Sequence, residues 1–91
     1  MADITVTSEG DDVYRVVVSE GGGTTDHQVT SPSGDVARLA PGASAEAVVE
    51  ASFRFLLDRE PKESILSRFD LAVIGRYFRE YPERIGEYLR S

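Results

Sequence analysis

The hydrophobic period of this chain changes once, at Pro32–Gly34, and that change constrains the fold more than any other feature. Before it, apolar residues recur at every second position. "ITVT" (Ile4 to Thr7) sets Ile4 and Val6 on one face. "VYRVVV" (Val13 to Val18) sets Tyr14, Val16 and Val18 on one face and Val13, Arg15 and Val17 on the other. β-Branched and aromatic residues dominate both runs, which is the signature of strands. "DHQVTS" (Asp26 to Ser31) alternates again, with His27 and Val29 opposite Asp26, Gln28 and Thr30. The turn formers of "SEGDD" and "SEGGGTT" separate the three runs and predict two hairpins. The expectation is a three-stranded antiparallel meander over about residues 3–32, and a sheet that small needs a cover on one face.

After the break the period is helical. "DVARLA" (Asp35 to Ala40) predicts a short helix with Asp35 as N-cap, stopped by Pro41 and Gly42. Ser44 suits the N-cap of a long helix over roughly Ala45 to Arg59. Ala45, Val48, Val49, Phe55 and Leu56 form its apolar stripe, and Phe53 and Leu57 widen it, so this helix is expected to be buried on more than one side. In "REPKESIL" (Arg59 to Leu66) the proline pushes the preceding residue away from helical geometry and suits the first position of a new turn. A joint is expected there, with Lys62 and Glu63 facing water and Ile65 and Leu66 returning to the core. "FDLAVIGRYFREYP" predicts a further helix capped by Asp70, with Leu71, Ile74 and Phe78 at helical spacing. Pro82 should break the chain again before a last helix in "PERIGEYLR". The fold class is therefore α+β: a three-stranded antiparallel N-terminal β-meander followed by three or four helices packed on one face. It is read as one small domain over residues 1–91, with its helical part at about 35–90.

Composition removes several function classes. None of the 91 residues is a cysteine, which excludes disulfides, thiol chemistry and cysteine zinc sites. The net charge is −6, and residues 1–42 set only Arg15 and Arg38 against seven acidic residues. Nucleic acid and anionic membrane surfaces are disfavoured as partners. "MADITVTSEG" lacks the pattern of a signal peptide, and no run reaches the roughly 18 apolar residues of a membrane helix. A cytoplasmic location fits this composition.

Candidate chemistry is sparse. His27 is the single histidine, and Asp26 beside it points to the opposite face of a strand. Gly21–Gly23 has no lysine with it and leads into a strand, so it reads as a hairpin loop and not a phosphate loop. Asp11–Asp12 and Glu80–Glu83 fall in polar turns or at helix ends, where carboxylates are solvated. No catalytic, cofactor-binding or metal-binding residue is assigned, and the chain reads as a non-enzymatic interaction or structural module. Its second half is rich in aromatics. Phe55, Tyr77, Tyr81 and Tyr88 are the candidate partner surface, for a homodimer or for another protein.

Two resemblances bear on this. "FRFLLDREPKESIL" followed by "FDLAVIGRYFREYP" resembles a group of small uncharacterised prokaryotic proteins with a REP-x-x-SIL joint and a YF-x-x-YP ending. The likeness covers about the last forty residues and implies an α+β domain without implying an activity. "GASAEAVVEASFRFLL" (Gly42 to Leu57) resembles the turn and second helix of ribbon-helix-helix regulators and antitoxins. It has a Gly-x-Ser turn, paired Val48 and Val49, small Ser52, and large Phe53, Leu56 and Leu57. That likeness implies a DNA-binding alternative in which the strands of two chains pair and Asp26, Gln28 and Thr30 face the major groove. Departures from that pattern are plain: the first helix is about a turn short, the ribbon carries no Lys or Arg, and two further strands precede it.

Overall fold

Strands β1 (Asp3–Gly10), β2 (Val13–Glu20) and β3 (Gly23–Thr30) form the expected antiparallel meander. The computed structural model describes residues 2–90; positions 1 and 91 of the domain read from the sequence lie outside the described residues. Gly21 and Gly22 turn the β2–β3 hairpin with φ of 64° and 82°. Positive φ at both central positions matches the right-handed twist of the flanking strands, which explains the glycine run. The register aligns Val6, Val16 and His27 in one row and Tyr14 with Val29 in the next. Val16, Val18, His27 and Val29 are buried on that face, whereas Thr5, Thr7, Arg15 and Asp26 on the other are exposed.

The sheet has four strands, not three. Strand β4 (Arg68–Asp70) runs parallel to β3, pairing Gln28 with Arg68 and Thr30 with Asp70, and the order is β1-β2-β3-β4. A parallel neighbour requires a long crossover, and residues 31–67 supply it. Three residues are too few to show a period of two, so "RFD" carries no strand signal of its own.

The crossover holds helices α1 (Ser33–Leu39) and α2 (Ala45–Leu57). Helix α1 starts before Asp35, which pairs with Arg38 and does not cap. The Ser44 hydroxyl does cap α2, accepting from the Ala47 N–H at 3.2 Å. Helix α3 (Ala72–Tyr77) is preceded by Leu71, because Asp70 belongs to β4. Helix α4 (Tyr81–Arg90) begins ahead of Pro82, whose missing N–H costs nothing in a first turn, so this proline starts a helix and does not interrupt one. The radius of gyration, 12.0 Å, is that of one compact body of this length, so sheet and helices share a core.

Helix α2 lies between the sheet and α4. Residues two apart on a helix point about 200° apart. Phe53 accordingly faces the sheet, its ring 5.2 Å from that of His27 and 6.0 Å from that of Phe69. Phe55 faces the other way, with Phe78, Tyr81 and Tyr88 at 5.8, 5.2 and 5.7 Å. Both are wholly buried, as the widened stripe predicts.

A buried polar contact ties α2 to α4. The Ser52 hydroxyl donates to the Val48 carbonyl at 2.6 Å, so the Tyr81 hydroxyl, also at 2.6 Å, must donate to Ser52. Burial pushes the Tyr81 hydroxyl up to about 12, from an ordinary value of 10.0. A group whose folded value is raised contributes stability that is intact below its unfolded value and lost above it. Unfolding free energy should therefore fall by about 2–3 kcal/mol as pH rises from about 10 to about 12, beyond any loss in Tyr81→Phe. Urea titrations of both proteins across that range check this; parallel curves would contradict it.

Between α2 and β4 the joint departs from expectation at two residues. Pro61 sits at φ −69° and ψ 157° and leads into a single 3₁₀ turn, Lys62–Ser64. Lys62 is buried, with its ammonium on Glu63 at 2.6 Å and its tip close against Gly23 of the β2–β3 hairpin. Its long apolar stem covers that hairpin end while the carboxylate balances the charge. Leu66 was expected inside and is exposed. Pro61 itself is exposed and offers only its fixed φ and a carbonyl to Ser64. Pro61→Ala should cost only about 0.4–1 kcal/mol, through the added freedom of the unfolded chain, and leave the circular dichroism spectrum unchanged.

Candidate functional site

A groove of about 480 Å³ opens between the joint and α3. Its construction follows from the chain on either side. Ile65 is extended and points into the core, so its neighbour Leu66 must point out. His27 locks that arrangement: its Nδ1 donates to the Leu66 carbonyl at 2.8 Å, since a carbonyl only accepts, and the Thr25 hydroxyl lies 2.9 Å from Nε2. On the far wall, Val73 and Tyr77 fall four apart on one side of α3, and Ile74 and Phe78 line the wall beside them. Leu56 and Phe69 complete the lining. Glu60 and Ser64 are its polar members.

Two large hydrophobic side chains remain exposed among the described residues, Leu66 at 49 % and Tyr77 at 71 %. Both line this one groove. Single exposed apolar side chains need no explanation; these two flank one concave, mainly apolar surface.

The candidates read from the sequence are placed as follows. Tyr77 lies on the groove. Phe55 and Tyr81 are core, buried between α2 and α4, and cannot form a surface. Tyr88 is half-buried; its hydroxyl donates to Asp58 at 2.5 Å and lies 3.3 Å from Arg59 Nη1. Asp26, Gln28 and Thr30 are on the outer face of the sheet. Asp26 is ion-paired with Arg15, whose hydrogen bonds hold its carboxyl below the usual carboxylate range. Over Gln28–Thr30, β3 has β2 on one side and β4 on the other, and the Gln28 N–H is bonded to the Ser67 carbonyl at 2.8 Å. The backbone that a two-chain ribbon would need is engaged within this chain. Leu66, Val73 and Glu60 escaped the sequence reading. The one available signal for Leu66 was its place in an extended pair with Ile65.

Convergent chemistry does not accompany the groove. Glu60 is its one carboxylate, and the histidine ring has both nitrogens engaged with Leu66 and Thr25. Among the described residues no group of three or more metal-ligating side chains occurs, and no helix is long and apolar enough to cross a membrane. A second, smaller hollow of about 310 Å³ lies beside Asp35 and Arg38, which pair with each other. Comparison with known proteins gives no match to a family model, a curated protein or a solved structure.

Proposed function

We propose that this chain is a non-enzymatic protein-interaction module that works through the groove between the joint and α3. The observation that carries the proposal is the placement of Leu66 and Tyr77, the two exposed large hydrophobics, on opposite walls of one apolar groove. Covering such surface is favourable at roughly 25 cal/mol per Å² of apolar area removed from water. An interface of this kind needs a hydrophobic centre with a polar rim, and Glu60 and Ser64 begin that rim.

A paired retention experiment tests this. The protein, coupled to a resin and exposed to native-host extract, should hold a partner that Leu66→Ser/Tyr77→Ser does not. Both positions are exposed, so the double variant should melt within about 1 kcal/mol of the parent. Equal retention by the two proteins would place the working surface elsewhere.

A further inference from the structure

The two edges of the sheet are finished differently. At one, β4 is three residues long, too short to take up a further strand. At the other, β1 is eight residues long and has β2 as its only strand neighbour. The alternation of the ladders fixes what β1 presents there. Gly21 and Gly22 form a two-residue turn, so Glu20 and Gly23 are a hydrogen-bonded pair, and Val18, Val16 and Tyr14 bond to β3 in the same way. The far side of β3 obeys the same alternation, since the Gln28 N–H bonds to Ser67 and the Thr30 carbonyl accepts from Leu71. Ser19, Val17 and Arg15 therefore bond to Asp3, Thr5 and Thr7 of β1. The N–H and carbonyl groups of Ile4, Val6 and Ser8 are left pointing off the open edge.

Edge strands of this length are commonly guarded by lysine or proline, and β1 contains neither. Its Ile4 and Val6 side chains are half-buried at the rim of the core face, so an added strand would cover what remains of them. The charge of this edge is one-sided. Residues 1–14 carry Asp3, Glu9, Asp11 and Asp12 and no lysine, arginine or histidine. Asp3 and Glu9 are exposed, one toward each end of the strand, and join no ion pair among the described residues. Arg15, the first cation along the chain, is ion-paired with Asp26. A second copy would set this acidic segment against itself, and like charges across strands are destabilising.

We propose that the open edge of β1 binds an extended basic segment of another protein as a further strand. The segment pairs with the backbone of Ile4, Val6 and Ser8, brings Lys or Arg at its ends to Asp3 and Glu9, and sets apolar side chains at alternate positions beside Ile4 and Val6. This site lies at the opposite edge of the sheet from β4 and does not depend on the groove.

Fluorescence anisotropy and amide exchange on the full chain, with the end-blocked peptide Lys-Thr-Val-Thr-Val-Thr-Lys as probe, test the proposal. The peptide should bind, and protection should rise at Ile4, Val6 and Ser8 while Thr5 and Thr7, already in the ladder, stay level. Exchanging its lysines for glutamates should weaken binding about tenfold or more, and Asp3→Lys/Glu9→Lys should reverse that preference. Val6→Pro removes a donor that the domain itself does not use, and proline is tolerated on an edge strand whose N–H faces solvent, so this variant should stay folded and lose the peptide. If it unfolds, the charge reversal decides alone, because both of its positions are exposed. A lysine peptide that does not bind, that binds without new protection at the three alternate amides, or that keeps its advantage on the charge-reversed chain overturns the proposal. So does a parent that self-associates in sedimentation and loses the association in Val6→Pro, because the occupant is then a second copy.

Discussion

Phe53→Ala should remove about 3–5 kcal/mol of unfolding free energy, the cost of deleting a buried aromatic ring and leaving the space behind it. Phe53 is wholly buried and is the ring through which α2 meets the sheet, with His27 on β3 and Phe69 on β4 both in contact distance. The surrounding strands are held by their ladder and cannot collapse onto the cavity. A domain of this length has a total stability of about 5–14 kcal/mol, so the loss takes a large share of it. Urea unfolding followed by circular dichroism measures the change. A cost below about 1 kcal/mol would show that the ring does not fill the space between helix and sheet.

Phe55→Ala should cost a similar amount, about 3–5 kcal/mol, on the opposite side of the same helix. Three rings pack edge-on against Phe55, from Phe78, Tyr81 and Tyr88, and the Arg59 guanidinium carbon lies 3.7 Å from its ring centroid. Stacking of a cation on an aromatic face contributes about 0.5–2 kcal/mol of its own, depending on exposure, and it goes with the ring. Because Arg59 also reaches Glu80 at 3.2 Å, losing its platform weakens the attachment of α4 at the joint. Amide exchange in Phe55→Ala should accelerate first along α4 and later in β2 and β3. Uniform acceleration across sheet and helices would contradict the two-sided packing of α2.

The contrast between these two phenylalanines shows what the sequence discloses. Phe53 and Phe55 stand two apart on a helix, and that spacing alone requires burial on two sides. Its consequence for the aromatics went unread. With α4 on the far side of α2, Phe55 and Tyr81 become core and Tyr88 is half-buried, so of the four aromatics proposed for a surface only Tyr77 is fully exposed. The hairpins were legible because alternation and glycine turns are local signals. Strand β4 was not, since three residues bounded by Ser67 and Leu71 acquire strand geometry only by pairing with Gln28–Thr30, some forty positions away. Lys62 illustrates the same limit. Its burial depends on the glycine hairpin of the first half folding against it, and nothing within "PKES" records that contact. The groove is likewise a product of tertiary contacts, formed where a short α3 and a histidine-fixed joint fail to close over Leu56 and Phe69.

Amide hydrogen exchange, compared between the isolated protein and the protein with its retained partner, tests the central claim most directly. Protection should rise in residues 64–66 and 73–78, the two walls of the groove, and stay level along Asp26–Thr30 and the outer edge of β1. New protection along Asp26–Thr30 with none at the groove walls would contradict the account and favour a strand-mediated contact.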